Sequence, residues 1–366
     1  MNKVRTTFGV VMAAVMLTSA GAITAQAAGI PADLASSSSL AGQATPTPTA
    51  TATATPTPTA TPTPEPTPPL VRTGGADRFE TSALISAATF DEDAPVVYIA
   101  SGANYPDALS AAAAAGAKDA PVLLVLKDEV PQVIVDELTR LNPARAVIVG
   151  GTDVISDKVQ SIVGKYSVTS RVAGATRFET SANLSATFEP GVDVAYIASG
   201  SNYPDALAGA AAAGSNGGPV LLVQQTEIPA AVLTELARLK PKSVVVLGGT
   251  AAISAEVEAN LNRFVAPTTR IGGDTRFETA TLVSSDTYPD GASTVYITSG
   301  ANFPDALAGA AAAGSTDAPV LLVYETEIPK AVATELERLK PTNIVVLGGT
   351  TVISAAVAKA LESYVD

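Results

Sequence analysis

The chain repeats itself three times between residues 71 and 366, and this repetition limits the fold more than any other feature of the sequence. The motif Arg-x-x-Gly-x-x-Arg-Phe-Glu-Thr begins at Arg72, Arg171 and Arg270, a spacing of 99 residues each time (171 − 72 and 270 − 171). Because a fixed period marks tandem structural units, the sequence predicts three similar domains. Their predicted boundaries are 71–167, 168–266 and 267–366.

Within one unit, short apolar runs alternate with segments that favour helices. The runs at 96–100, 122–126 and 146–149 are continuous, as expected of strands buried on both faces of a parallel sheet. This alternation predicts a three-layer α/β domain. Since the joints between units are short, we expect the three domains to pack in a closed pseudo-threefold arrangement rather than as separate beads. The helices are predicted from Phe79 onward, at 107–115, at 131–141 and at 156–163.

The composition removes many kinds of chemistry. The chain has no Cys, His or Trp, which excludes disulfides, metal sites made of thiolates or imidazoles, and Ser-His-Asp or Cys-His catalysis. We therefore expect no catalytic residues, no metal and no cofactor. The net charge is −13, and −15 without Lys3 and Arg5, which argues against nucleic-acid binding. An anionic polymer can still bind where a few Arg side chains are gathered.

The first 70 residues indicate export and a spacer. Residues 1–27 are typical of a signal peptide: Lys3 and Arg5 precede an apolar run at 8–17 and the cleavage sequence Ala-Gln-Ala. The run is too short and too rich in Ala to favour the alternative, a membrane anchor, so we expect no membrane span after cleavage. Residues 28–70, rich in Thr, Pro and Ala, are predicted to be a disordered, extended linker.

Two of the repeated motifs follow strands at the carboxyl edge of the predicted sheets, where ligands collect in parallel α/β folds. In Ser-Gly-x-Asn-Tyr/Phe-Pro-Asp, the Pro and Asp suit the first turn of a helix, while Asn and Asp also suit hydrogen bonds to sugar hydroxyls. Gly-Gly-Thr can form either a tight turn or an anion nest. The candidate polymer-binding residues in these motifs are Asn104, Asp107, Thr152, Asn202, Asp205, Thr250, Asn302, Asp305 and Thr350.

The third repeated motif contributes two arginines per unit. Its Glu has the position of a capping-box residue, which favours a structural role over a catalytic one. The arginines have no such local explanation. They either form ion pairs between domains or grip a phosphate or carboxylate polymer. These candidates are Arg72, Arg78, Arg171, Arg177, Arg270 and Arg276.

Taken together, the motifs resemble the cell wall binding repeat 2 family of secreted Gram-positive proteins. The resemblance covers residues 71–366, where the motifs recur in order and at similar spacing in all three units. It implies a Rossmann-like or Toprim-like unit used in threes, forming a disc that holds an anionic secondary wall polymer non-covalently. In that family the repeats usually accompany a separate functional domain, and none is expected in this sequence.

We therefore expect a secreted, non-catalytic protein attached to the Gram-positive cell wall through an anionic polysaccharide or teichoic-acid-like polymer. Three equivalent sites on one body would gain affinity for a repeating polymer through effective concentration. One alternative is a wall-modifying hydrolase of the amidase or glycosidase type that uses Asp107, Asp205 and Asp305. Another is an S-layer-like or adhesin-like protein that displays its linker. The near-identical copies favour binding, because an active site seldom needs triplication.

Overall fold

A computed structural model describes residues 69–201, 204–302 and 304–365. The predicted signal peptide and the linker up to residue 68 lie outside the described residues. Twelve strands and twelve α-helices form within the described ranges, and none of these helices has the length and apolar composition needed to cross a membrane. The strands are β1 Leu70–Thr73, β2 Val97–Ser101, β3 Val122–Val125, β4 Arg145–Val149, β5 Val168–Val172, β6 Val194–Ser199, β7 Val220–Val223, β8 Ser243–Leu247, β9 Thr268–Ile271, β10 Thr294–Ser299, β11 Val320–Val323 and β12 Asn343–Leu347.

The helices alternate with the strands, and many begin at a residue whose side chain caps the first turn. Thr275, for example, accepts a hydrogen bond from the Glu278 N–H, and the Glu278 carboxylate accepts one from the Thr275 N–H, which completes a capping box. The helices are α1 Arg78–Thr89, α2 Tyr105–Gly116, α3 Gln132–Leu141, α4 Asp157–Val163, α5 Arg177–Ser185, α6 Pro204–Ser215, α7 Ala230–Leu239, α8 Ala255–Phe264, α9 Arg276–Thr287, α10 Pro304–Ser315, α11 Lys330–Leu339 and α12 Ala355–Leu361.

The twelve strands form three four-stranded sheets in which every pair of neighbours is parallel. The strand orders are β3-β2-β4-β5, β7-β6-β8-β9 and β11-β10-β12-β1. Every residue of β2 and β3 is buried, which is why continuous apolar runs identify these strands in the sequence. The predicted α/β class is confirmed.

The fourth strand of each sheet comes from the motif that begins the next repeat. β5 pairs with β4, and β9 pairs with β8. β1, which begins the first repeat, pairs with β12 of the third, where Arg72 lies opposite Val346. The exchange of strands therefore runs through all three repeats and closes them into a ring, in agreement with the expected pseudo-threefold arrangement. A search for continuous apolar runs misses these strands, because β5 is half exposed and mixes Thr, Ser and Arg with Val.

Three Ala-rich helices, α2, α6 and α10, contact one another where the three repeats meet. Their Ala side chains are almost completely buried. Near their C-terminal ends, a Cβ added to Gly214 would lie 3.0 Å from the Cα of Gly314 and 3.1 Å from the Cα of Gly116. The small side chains therefore let the backbones of neighbouring repeats approach closely.

Candidate functional site

The loops that carry the repeated motifs meet at the boundaries between repeats. At the boundary between repeats 2 (168–266) and 3 (267–366), they form an open cleft of about 900 Å³, which we call the 2/3 cleft. Its walls include Asp205 and Thr250 from repeat 2, and Arg276 and Tyr324 from repeat 3. The three motifs thus contribute to one site across a boundary, rather than to three separate sites inside each repeat.

The first arginine of each motif is bound to the backbone of the preceding repeat. Arg171 lies on β5, and its Nη1 donates to the carbonyl oxygens of Gly150 and Ile155, at 2.8 Å each. Its side chain is only 16% exposed. These contacts favour the interpretation that this arginine joins neighbouring repeats. In the same way, Arg72 Nη1 donates to the Gly348 oxygen (2.8 Å), and Arg270 Nη1 donates to the Gly248 oxygen (2.7 Å).

Ion pairs add to this set of contacts in two of the three repeats. Arg270 Nε donates to Glu258 Oε2 at 2.8 Å, and Arg171 lies 3.4 Å from Asp157. Burial lowers the pKa of Arg72, for which no ion pair is found among the described residues. Because carbonyl and carboxylate groups of the protein already accept hydrogen bonds from these arginines, fewer of their N–H groups are available to a polymer. Their assignment as polymer-binding residues stays a prediction.

The second arginine of each motif begins a helix and lies beside the boundary. Arg276 lines the 2/3 cleft, and its Nη1 donates to the Gly300 carbonyl. A guanidinium carries five N–H donors, so this bond leaves further donors for an acidic ligand. Arg78 and Arg177 make the equivalent bonds, to the carbonyls of Gly102 and Gly200.

The Glu of this motif accepts a hydrogen bond from a backbone N–H at the start of the helix. Glu80 Oε2 accepts from the Ala76 N–H at 2.6 Å, and Glu179 Oε2 accepts from the Ala175 N–H at 2.7 Å. These bonds agree with the capping role that the sequence predicts.

A buried carboxyl group lies between neighbouring repeats. Asp107 of repeat 1 is 7% exposed, and Thr180 of repeat 2 hydrogen-bonds its carboxyl group. Burial raises the pKa of Asp107, while the Thr180 hydrogen bond and the charge of Arg177 act in the opposite direction. Burial likewise raises the pKa of Asp205, opposed by Thr279 and Arg276 of repeat 3, and that of Asp305, opposed by Thr81 and Arg78 of repeat 1.

The Gly-Gly-Thr loop covers this carboxyl group. Gly150 has a φ of +114°, and a Cβ at this position would lie 2.9 Å from Asp107 Oδ2. Only glycine combines this backbone conformation with this close approach. The structure therefore explains why the first residue of the loop is glycine. The Thr that follows the second glycine is exposed in all three repeats, at Thr152, Thr250 and Thr350.

The remaining candidates are the Asn residues before each Pro-Asp pair. Asn104 precedes α2 and makes no side-chain capping hydrogen bond, so capping does not explain it. Asn104 and Asn302 are half-buried. Asn202 lies outside the described residues.

Two residues of the 2/3 cleft, Gln225 and Tyr324, are not among the residues that the sequence motifs single out. Each repeat contains a Pro-Val-Leu-Leu-Val run, at 121–125, 219–223 and 319–323, and Gln225 and Tyr324 lie just after it, where the repeats differ from one another. A search for what recurs cannot find such positions, and only a comparison of the differences between repeats would have drawn attention to them. Within the described ranges, no group of three or more acidic side chains is placed to hold a metal ion.

The three repeats match the model of a known family. The model of the family described as "Cell wall binding domain 2 (CWB2)" matches three segments, which together make up more than half of the chain. The matched segments are residues 72–160, 171–258 and 270–358.

Two curated relatives from Bacillus subtilis (strain 168) are similar over most of the chain. The N-acetylmuramoyl-L-alanine amidase LytC is 30% identical over 295 residues, which is 80% of this chain and 58% of the relative. An amidase enhancer is 29% identical over 292 residues, which is 79% of this chain and 40% of the relative. The chain thus spans about half the length of these curated relatives.

Two solved structures from Clostridium difficile share the fold. Cwp6 superimposes with a TM-score of 0.74 and 26% identity, over 79% of this chain and 47% of that one. Cwp8 superimposes with a TM-score of 0.74 and 28% identity, over 81% of this chain and 52% of that one.

Proposed function

This chain belongs to the Cell wall binding domain 2 family, and from that premise we propose that it holds an anionic wall polymer at the boundaries between its repeats. Cell wall binding is the property that the family name carries. The finer proposal is that the ligand is a secondary polymer with phosphate or carboxylate groups. We also propose that residues 1–27 direct export and that residues 28–70 act as a spacer at the cell surface.

The observation that carries this proposal is the position of Arg276 in the wall of the 2/3 cleft. Its guanidinium lies where loops from two repeats meet, and its Nη1 donates to the Gly300 carbonyl. Phosphate and carboxylate groups accept paired hydrogen bonds from a guanidinium. The carboxyl groups of Asp205 and Asp274 also line the cleft, so an anion would be held there by direct hydrogen bonds to Arg276 and not by the overall charge of the cleft.

The ring supports binding at more than one boundary. Arg78 and Arg177 begin their helices as Arg276 does, so each boundary has an arginine in the same position. A repeating polymer that contacts several boundaries would bind more tightly than to a single one, because each further contact is made at high effective concentration.

The test is co-sedimentation of the full chain with purified cell walls, before and after chemical removal of the anionic polymers. We expect binding to intact walls and its loss on stripped walls. The variant Arg78→Ala, Arg177→Ala, Arg276→Ala should bind intact walls at least tenfold more weakly while it remains folded. Equal binding of the chain to stripped and intact walls would contradict the proposal.

The matched control removes the same charge elsewhere. The variant Lys158→Ala, Arg263→Ala, Lys359→Ala changes one exposed cation on each of α4, α8 and α12. If this control loses as much binding as the arginine variant, the effect comes from net charge and not from the clefts.

The alternative function, a hydrolase that uses the three Asp residues, has less support. Asp107 and Asp305 are 7% and 5% exposed, whereas Asp205 is half-buried in the wall of the 2/3 cleft. The next repeat contributes a hydroxyl and a guanidinium to each of the three carboxyl groups. A carboxyl group enclosed in this way is poorly placed to reach a wall substrate. A zymogram on cell-wall substrate tests this alternative directly, and a cleared band would favour it.

A further inference from the structure

The same motifs meet at all three boundaries, but the two residues that follow each Pro-Val-Leu-Leu-Val run differ from repeat to repeat. The first of these positions holds Leu126, Gln224 or Tyr324. The second holds Lys127, Gln225 or Glu325. The 2/3 cleft takes its second-position residue from repeat 2 and its first-position residue from repeat 3, so it combines Gln225 with Tyr324. This pairing occurs at one boundary only.

Tyr324 presents an aromatic surface in the 2/3 cleft. Its ring lies 4.3 Å from the ring of Phe277, at an interplanar angle of 49°. Phe277 is buried, whereas Tyr324 is 47% exposed and lines the cleft. The buried ring therefore supports the exposed one from within the protein and fixes the wall that it forms.

Polar groups of several kinds line the same cleft as this ring. Gln225 Nε2 donates to the Ala251 carbonyl at 2.8 Å, which holds the loop that follows Gly-Gly-Thr. The cleft is also lined by the exposed hydroxyl of Thr250, the N-cap Thr275, the guanidinium of Arg276 and the carboxyl groups of Asp205 and Asp274. An aromatic face beside hydroxyl, amide and guanidinium groups suits a pyranose, because the C–H face of the sugar packs on the ring while its oxygens form hydrogen bonds.

We propose that the 2/3 cleft is the principal sugar site of this protein, and that a pyranose unit stacks on Tyr324 with an acidic substituent directed at Arg276. This inference rests on the proposed function and adds to it the chemical class of the ligand and the unequal contribution of the three boundaries.

The other two boundaries lack this combination. At the boundary between repeats 3 and 1, the equivalent positions hold Glu325 and Leu126, and Asp77 replaces the capping Thr beside Arg78. Since the 2/3 cleft has a carboxylate of its own at Asp274, the added negative charge of this boundary is that of Glu325, and it disfavours an anionic sugar there. At the boundary between repeats 1 and 2, the equivalent positions hold Lys127 and Gln224, which provide a positive charge but no aromatic ring. We therefore expect the affinity to be highest at the 2/3 cleft.

The test uses the full chain and the anionic polymer released from purified walls by mild acid. Titration calorimetry measures the affinity of the wild type and of Tyr324→Gln, which places the residue of repeat 2 in repeat 3. We expect the substitution to weaken binding about three- to tenfold, the effect of losing one aromatic contact. Tyr324→Phe keeps the ring and should recover most of the affinity that Tyr324→Gln loses.

The matched control is Leu126→Gln, which makes the same replacement at the equivalent position in repeat 1. It should leave the affinity unchanged. Because the chain has no Trp, tyrosine emission provides a second readout: the polymer should change the emission of the wild type more than that of Tyr324→Gln. Thermal unfolding of each variant shows whether it is folded, as expected for exposed positions.

The outcomes separate this inference from the proposed function. If the wild type binds the polymer and Tyr324→Gln binds equally well, or if Leu126→Gln loses as much, the inference is wrong while the proposed function stands. If the wild type does not bind the polymer, both are wrong. A parallel titration with peptidoglycan stripped of its polymers identifies the source of the sugar, and a Tyr324-dependent affinity for stripped peptidoglycan alone would overturn the anionic part of the proposal.

Discussion

Arg171 and Arg177 belong to one sequence motif, yet their guanidinium groups have different partners. Arg171 lies on an edge strand and reaches back to two carbonyl groups of the preceding repeat. Arg177 begins a helix and is bonded to the Gly200 carbonyl of its own repeat. The sequence alone predicts that both are special but cannot separate them, because the separation depends on a strand that joins the sheet of another repeat.

Because three carboxyl groups are enclosed between repeats, we expect the stability of the protein to depend on pH. Burial raises the native pKa of Asp107 above its ordinary value of 3.8, and acts likewise on Asp205 and Asp305. A raised native pKa means that the folded state binds the proton more tightly. The contribution of these groups to stability is therefore largest below the unfolded value and is lost as the pH rises through the raised native value.

The variant Asp107→Asn, Asp205→Asn, Asp305→Asn removes these titrations. We expect the free energy of unfolding of this variant, relative to the wild type, to increase as the pH rises from about 4 to about 8. Urea unfolding at several pH values measures this difference. A difference that stays constant over the range would show that the native pKa values are not raised.

The contact of the helices α2, α6 and α10 depends on small side chains and, at Gly214, on the absence of a side chain. We expect Gly214→Val to lower the free energy of unfolding by about 1–3 kcal/mol, the range for an overpacked interior, since its Cβ would press on the backbone of two other repeats. Chemical denaturation measures the loss.

The matched control is Gly249→Val. A Cβ at Gly249 meets no atom within 4 Å, so this variant should unfold close to the wild type. If Gly214→Val is as stable as this control, the three helices have room to separate, and the close approach is not essential.

The elements could be predicted from sequence to different degrees. The strands β2, β3 and β4 are buried, so their apolar runs identify them, and the capping residues and prolines identify most helices. β1, β5 and β9 are edge strands with few apolar residues, and their partners belong to other repeats. The residues of the candidate site could also be predicted only in part. Asp205 and Arg276 recur in every repeat, so a search for repeated residues finds them, whereas Tyr324 differs from its counterparts and such a search misses it.

At the scale of the whole molecule, one of the three boundaries is joined differently from the others. Repeats 1 and 2 are connected through residues 164–167, and repeats 2 and 3 through residues 265–267. Repeats 3 and 1 lack such a connection and are held by the packing of α10 against α1 and α2, by the pairing of β1 with β12 and by the bond from Arg72 to the Gly348 carbonyl. When two repeats joined by a short linker separate, the linker keeps them at high effective concentration, so they close again readily. Repeats 3 and 1 have no short linker between them, so we expect their boundary to close again less readily.

We therefore expect Arg72→Ala to loosen the ring more than Arg171→Ala does, although each removes the equivalent arginine. Each lost charged hydrogen bond costs about 1.5–3 kcal/mol, and Arg171 makes more short bonds than Arg72, so a larger effect of Arg72→Ala would come from the missing connection between repeats 3 and 1. Amide hydrogen exchange should accelerate more in β12 of the first variant than in β4 of the second. Equal acceleration in the two strands would indicate that all three boundaries are mechanically alike.

The pairing of β1 with β12 also determines how the molecule responds to tension. A pull that arrives along the chain before residue 69 acts first on β1, the short strand that closes the third sheet. If β1 were drawn away, Arg72 would leave the Gly348 carbonyl, and the loop around Thr350 would lose its support. The 2/3 cleft lies between repeats that the chain itself connects, so a tethered molecule would give way at the boundary beside Glu325 while the cleft with Tyr324 stays intact.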